Sequence, residues 1–270
     1  MKALFSHWGD PGRTLYPSES GFLSSVALAV CEASEYYDTV LYADPKNAKT
    51  FAKLKLPLER LEPVDFTKFG VHESLWSFPK FVAMDREDLP FVHMDNDFFL
   101  FGTLPDFDEA LFSGSYRISE NDEQSKSVHE NTIEQIEYND NLAPRPDFWN
   151  PENDFVIQCA VIGLKNQKWK DGWVRPVKEW MTETEDEIND NIEGILRAVI
   201  FEQFTAGEFH KRYGGAQEIG SEHIYKQPDD SNNFVTLPGS FKRKNEKGVI
   251  EVLKRRHPSV HERVVRTAKT

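Results

Sequence analysis

The chain has 270 residues, enough for one large α/β domain or two small ones. Its 39% hydrophobic and 13% aromatic content excludes a disordered polypeptide and predicts a packed globule. No apolar run reaches the length of about 18 residues that a membrane-spanning helix needs, so no integral membrane association is expected. The Met1–Trp8 run is too short for a signal peptide and reads as a first strand.

The net charge of −13 is unevenly spread. Residues 241–270 hold ten Lys/Arg against three Glu, a net of +7, which leaves −20 on residues 1–240. A basic end on an acidic body fits either an anionic partner or a solvated helix face. Cys31 and Cys159 are isolated thiols without metal-ligand spacing, expected to be buried and reduced in a cytoplasmic protein.

In chain order, Ala3–Trp8 reads as a strand followed by a Gly/Pro loop over 9–17. Phe22, Leu23, Val26, Ala27 and Val30 share one helical face, predicting a helix over 20–36 with Ser18 or Ser20 as cap. Thr39–Tyr42 is a second strand ending at Ala43-Asp44, Lys46–Leu54 is helical, Leu58–Val64 is extended, and Glu73–Met84 is helical around Trp76. Phe91–Met94 and Ala110–Arg117 are strands, 118–153 is a polar excursion or lid, and Phe155–Leu164 is a buried strand. Helices are predicted at Arg175–Met181 and Glu187–Ala206, a loop-rich segment over 207–233, and two closing helices at Asn245–Arg256 and Ser259–Thr267. Strands alternating with helices predict an α/β fold with a mostly parallel sheet. Without an internal repeat or long linker, a single domain is expected.

The segment Pro90–Phe99 carries the most chemistry. A short apolar strand runs into Asp95 and Asp97, two carboxylates spaced to close on one divalent cation at a strand end, where ligands sit in open α/β sheets. Oxygen ligands suit Mg²⁺ or Mn²⁺, which reach substrates through phosphate oxygens and so point to a nucleoside-diphosphate donor. With 19 aspartates in the chain, about one such pair arises by chance, and Asp106-Phe107-Asp108 is a second. Strand context therefore singles out Asp95 and Asp97.

The succession Phe5-Ser6-His7-Trp8, Leu41-Tyr42-Ala43-Asp44, Leu75-Trp76-Ser77-Phe78-Pro79-Lys80 and Phe91–Asp97 resembles the GT-A-fold glycosyltransferase-like family over most of the chain. The resemblance implies a GT-A-like single domain: a nucleotide-binding half over 1–100, an acceptor half over 101–240 with the lid at about 118–153, and the basic segment 241–270. It implies Trp8 and Asp44 at the nucleoside, Lys80 at the sugar or phosphate, and Asp95 and Asp97 at the metal and ribose. Cys159–Gly163 resembles a small-residue stretch beneath the sugar, and Phe201–Phe204 a Glu-Gln pair facing the site, with Glu202 as an orienting or basic group. Thr236–Lys242 resembles a His-x-x-Gly-x-x-Lys element: Gly239 and Lys242 match at the diphosphate, but Thr236 stands where a histidine ligand is expected, with His223 as a possible substitute.

The function implied is transfer of a hexosyl or pentosyl group from a nucleoside-diphosphate sugar, UDP-linked by expectation, to a hydroxyl, with Mn²⁺ or Mg²⁺ as cofactor. Lys242, Lys80 and Glu202 are the catalytic candidates. The acceptor is either a glycan or a hydroxymethylated base in DNA, the latter suggested by Lys242, Arg243, Lys244, Lys254, Arg255 and Arg256, since clustered cations neutralise phosphates. Two alternatives stand beside it. One is a nucleotide-sugar-binding protein without turnover; the other is a metal-dependent phosphoesterase using the aspartates with His7, His72 and His93. For His93, on a buried strand, a satisfied core histidine is the plainer expectation.

Overall fold

The computed structural model describes residues 1–9, 16–71, 75–120, 130, 133–134, 145–183, 199–220, 233–237 and 241–269. In chain order the elements are β1 (Lys2–His7), α1 (Glu19–Ser34), β2 (Asp38–Ala43), α2 (Pro45–Leu54), β3 (Arg60–Pro63), α3 (Phe78–Arg86), β4 (Phe91–Met94), β5 (Phe98–Leu100), β6 (Ala110–Arg117) and β7 (Phe155–Leu164). One helical turn at Gln167–Trp169 and a π-helical stretch at Lys170–Val174 lead into α4 (Arg175–Glu183). A second π-helical stretch, Ile200–Phe204, leads into α5 (Thr205–Tyr213), followed by β8 (Ala216–Glu218), β9 (Phe234–Thr236), α6 (Phe241–Arg256) and α7 (Pro258–Thr267). The chain is thus an α/β protein. No helix among the described residues is long and apolar enough to cross a membrane.

The chain falls into two compact units: Met1–Asp65 with Phe91–Asp106 and Ser221–Thr270, and Phe66–Pro90 with Phe107–Gly220. In the first unit four parallel strands run in the order β3-β2-β1-β4. Their apolar residues, such as Leu4, Phe5, Val40, Leu41, Phe91 and Val92, are fully buried, as expected for strands covered on both faces. Helix α1 starts where Ser18 accepts a hydrogen bond from Gly21 N, an N-cap that satisfies one of the first-turn amides. Both closing helices pack on it. The pair β5–β9 is a separate antiparallel ribbon, with Phe98 opposite Thr236 and its ring stacked on Phe234.

In the second unit β6 pairs antiparallel with β7 and parallel with β8. Its core is aromatic: Trp169, Trp173 and Trp180 are buried, with Phe112 and Phe209 packed on Trp169. The two π-helical stretches are joined here, because Trp173 Nε1 donates to Thr205 Oγ1 at 2.9 Å while that hydroxyl donates to Phe201 O at 2.7 Å. A side chain thus takes over a carbonyl from the disturbed helical ladder, a usual cause of local helix irregularity.

Several expectations need correction. Helix α3 begins at Phe78, not near Glu73, because Pro79 fits only the first turn of a helix; residues 72–74 lie outside the described residues. The helix expected to end at Ala206 continues to Tyr213, where Gly214 at φ 70° stops it. The segment expected to be loop-rich contains β8 and is followed directly by β9, and its residues 221–232 lie outside the described residues. Most of the expected lid, 121–129 and 135–144, and much of the helix expected at 187–206 also lie outside them.

Candidate functional site

In the first unit the chain crosses from β1 through α1 to β2 on one side, and later enters β4 on the other side of β1. The carboxyl ends of β1 and β4 therefore bound a topological switch point, the crevice where α/β sheets hold ligands. Trp8 follows β1, Asp44 follows β2, and Asp95-Asn96-Asp97 follows β4, so four predicted residues gather at one sheet edge.

The Asp95–Asp97 turn is pinned by its neighbours. Asn96 Nδ2 donates to Ser6 O at 2.9 Å, tying the turn to β1. Ser25 on α1 donates to Asn96 O at 2.7 Å, and because its proton is committed there, the Tyr16 hydroxyl donates to Ser25 Oγ at 2.6 Å. Burial, followed by the Asp97 carboxylate, pushes the Tyr16 phenol well above its ordinary value and keeps it protonated. Beneath the turn, His93 is 1% exposed, and its Nε2 is bonded to Ser6 Oγ at 2.9 Å, which places it in the core.

Asp97 is buried, and its Oδ2 pairs with Lys242 Nζ at 2.7 Å. Lys242 stands in the first turn of α6, and its ammonium also lies 5.9 Å from the centre of the Tyr16 ring. Sequence reasoning placed Asp97 and Lys242 in one site through a cation and a diphosphate; the structure joins them directly. Thr236, in the histidine position, is buried in β9, and Leu237 N donates to Asp97 O at 3.1 Å, so the ribbon braces the same turn. Gly239 and His223 lie outside the described residues.

The remaining candidates divide. Asp44 is the N-cap of α2: Oδ1 accepts from Lys46 N at 3.0 Å and Asn47 N at 3.1 Å, and Oδ2 from Asn47 Nδ2 at 2.5 Å. Both oxygens serve the helix, while Asn47 Nδ2 also holds Gly9 O at 2.8 Å next to Trp8. Asp106 and Asp108, the chance pair, are exposed on either side of a buried Phe107.

Lys80 and Glu202 both belong to the second unit, where they form one buried ion pair with side chains 5% and 0% exposed. Lys80 Nζ also donates to Cys159 O at 3.3 Å and lies 5.1 Å from the Trp76 ring centre. Glu202 sits in the π-helical stretch, a geometry that recurs at functional sites. Cys159 and Cys31 are buried thiols, and burial pushes the Cys31 thiol up to about 12.

Of the six basic residues, two face inward. Lys242 holds Asp97, and Arg256 holds Glu32, a carboxylate on α1 with no exposed surface that also accepts from His257. Arg243, Lys244, Lys254 and Arg255 lie on exposed positions of α6. The inward pair escaped sequence reasoning because its partners are 145 and 224 positions away in the chain.

The divalent cation implied by the resemblance needs several oxygen ligands in near-octahedral array. Here an ammonium already bonds Asp97 Oδ2, a threonine replaces the imidazole, and no group of three His, Cys, Asp or Glu that could hold a metal occurs among the described residues. That donor set does not fit a resident divalent cation. It leaves the two-metal phosphoesterase alternative without its cluster there: His7 packs against Phe22 and Phe51, and His72 lies outside the described residues.

No curated protein matches the chain. Among solved structures it is similar to mouse xyloside xylosyltransferase 1 in its apo form, with a TM-score of 0.42 and 11% identity over 83% of this chain and 87% of that one. It is also similar to the galactosyltransferase LgtC in complex with donor and acceptor sugar analogues, with a TM-score of 0.43 and 13% identity over 100% of this chain and 95% of that one. The family model that matches spans residues 1–267, and the chain belongs to that family, the family of unknown function DUF6734.

Proposed function

We propose that this protein is a glycosyltransferase that binds a nucleoside-diphosphate sugar at the β1/β4 switch point and transfers the sugar to a hydroxyl acceptor. The observation that carries the reading is the Asp97–Lys242 pair at 2.7 Å on the carboxyl edge of the parallel sheet. A lysine ammonium is a point charge suited to phosphate, and an aspartate beside it can hold that charge in place until a diphosphate arrives. Trp8 and the Asp95–Asp97 turn offer an indole and polar groups to the nucleoside side of the same edge.

In this reading Lys242 stabilises charge on the departing nucleoside diphosphate, because a preorganised cation near developing negative charge lowers the barrier to its departure. The Asn96–Ser6 and Asn96–Ser25 hydrogen bonds hold the turn so that little reorganisation is needed. No step is assigned to a metal ion. The acceptor is a glycan hydroxyl by this proposal. Incubation with a panel of nucleotide sugars, UDP-linked ones first, and with small glycan acceptors tests it. Release of free nucleoside diphosphate, lost in Asp97→Ala and Lys242→Ala, is the expected result; release that neither substitution changes refutes the reading.

A further inference from the structure

We propose that Lys242 is the resident cation of this site, so that a nucleoside diphosphate binds without any divalent metal. The inference deepens the donor reading above and rests on it.

A metal-dependent site of two aspartates is ordinarily completed by the ion, which draws the carboxylates together and offers charge to the phosphates. In this protein both tasks have an occupant. The turn is already shaped by three hydrogen bonds that involve no carboxylate: Asn96 to Ser6 O, Ser25 to Asn96 O, and Leu237 N to Asp97 O. The positive charge is already present, because Lys242 Nζ lies 2.7 Å from Asp97 Oδ2 with the two side chains only 20% and 11% exposed. The Tyr16 ring, fixed by its hydrogen bond to Ser25, lies beside the ammonium and limits where it can move.

Lys242 is also held from behind. Helix α6 is anchored at its far end by Arg256 and His257 on Glu32, and near its start by a hydrogen bond from Ser18 to Glu246. An ammonium on an anchored helix acts as a fixture, in contrast to one on a free loop. Its charge is reinforced locally: the first turn of α6 carries Arg243 and Lys244 beside Lys242 and no acidic residue. Three cations at the positive end of a helix repel one another and favour an anion nearby. Against Asp95, Asp97 and Glu246 these three side chains balance the local carboxylate charge without help from a metal.

The test is calorimetric titration of the full chain with uridine diphosphate and the other nucleoside diphosphates, in EDTA and in Mn²⁺. Affinity in EDTA is expected within about twofold of that in Mn²⁺. Lys242→Met is expected to weaken binding about tenfold or more in both buffers, as loss of a charge-assisted contact does, while Lys242→Arg retains most of it. Circular dichroism of both variants checks that they are folded, and the EDTA comparison on the unaltered protein needs neither. Binding that appears only with Mn²⁺ overturns the inference and leaves the donor reading standing, whereas full affinity in Lys242→Met overturns the inference and removes Lys242 from the donor reading as well. Failure of every nucleoside diphosphate to bind in either buffer overturns both.

Discussion

Arg256 closes a two-pronged pair on Glu32, Nε to Oε1 at 2.6 Å and Nη2 to Oε2 at 2.8 Å, with His257 Nε2 at 2.8 Å from the same Oε1. Arg256 is 224 positions from Glu32, and the pair fastens the C-terminal helices to the last turn of α1. Removing one partner of a buried pair leaves an uncompensated charge and costs about 3–5 kcal/mol. Arg256 is partly exposed, which places Arg256→Ala at the lower end of that range, measured by urea unfolding. Loss of DNA retention in an Arg256 variant would therefore report on folding; Arg243, Lys244, Lys254 and Arg255 are the positions at which to test a nucleic-acid surface.

The same carboxylate sets a pH dependence. Burial by itself raises the Glu32 value, but the hydrogen bonds from His257 and Arg256 outweigh it and hold the carboxyl below its ordinary range. A folded value below the unfolded one stabilises the protein above the unfolded value and loses that contribution as pH falls through the folded one. Glu32→Gln should therefore show a shallower loss of melting temperature on acidification below about pH 4.5 than the unaltered protein. Parallel acid curves for the two proteins would contradict this.

Glu208 on α5 behaves in the opposite sense. It is 4% exposed, and its Oε1 has no hydrogen-bond partner among the described residues. Burial pushes its carboxyl up to about 7, with Lys211 opposing. An acid whose folded value is raised costs stability as pH rises from the unfolded value to the folded one, because the unfolded chain ionises first. Glu208→Gln should therefore stabilise the protein near pH 8 by about 1–3 kcal/mol and leave it nearly unchanged near pH 4.5, read from unfolding curves at both.

The Lys80–Glu202 pair predicts a strong asymmetry between single and double substitutions. Lys80→Met should destabilise by about 3–5 kcal/mol, since it strands a fully buried carboxylate, and Glu202→Gln by less. The double variant Lys80→Met, Glu202→Leu should recover much of the loss, because apolar replacement of a buried pair is often neutral. Equal and additive losses in a denaturant-based double-mutant cycle would show that the two side chains do not depend on each other.

Much of the fold was legible where apolar runs end abruptly in polar residues: β4, β6 and β7 were read at their observed boundaries for that reason. The three-residue strands β5, β8 and β9 were not, since so short a segment has no measurable alternation and owes its pairing to partners far along the chain. The π-helical stretches were invisible too, since nothing local in the sequence marks Trp173 and Thr205 as partners. At the site, the Asp95–Asp97 turn was legible as a strand end, whereas its pairing with Lys242 required the tertiary fold. Asp44 carried a local signal that was open to reading: an aspartate before Pro45 is the mark of a helix start, and it caps α2.

The central claim is that a nucleoside diphosphate is gripped at the carboxyl ends of β1 and β4 by Lys242 beside Asp97. The most direct measurement is a crystal structure of the protein soaked with uridine diphosphate. The donor reading predicts diphosphate oxygens within about 3 Å of Lys242 Nζ, with the uracil toward Trp8. A nucleotide bound in the second unit, with the Asp97–Lys242 pair untouched, would contradict it.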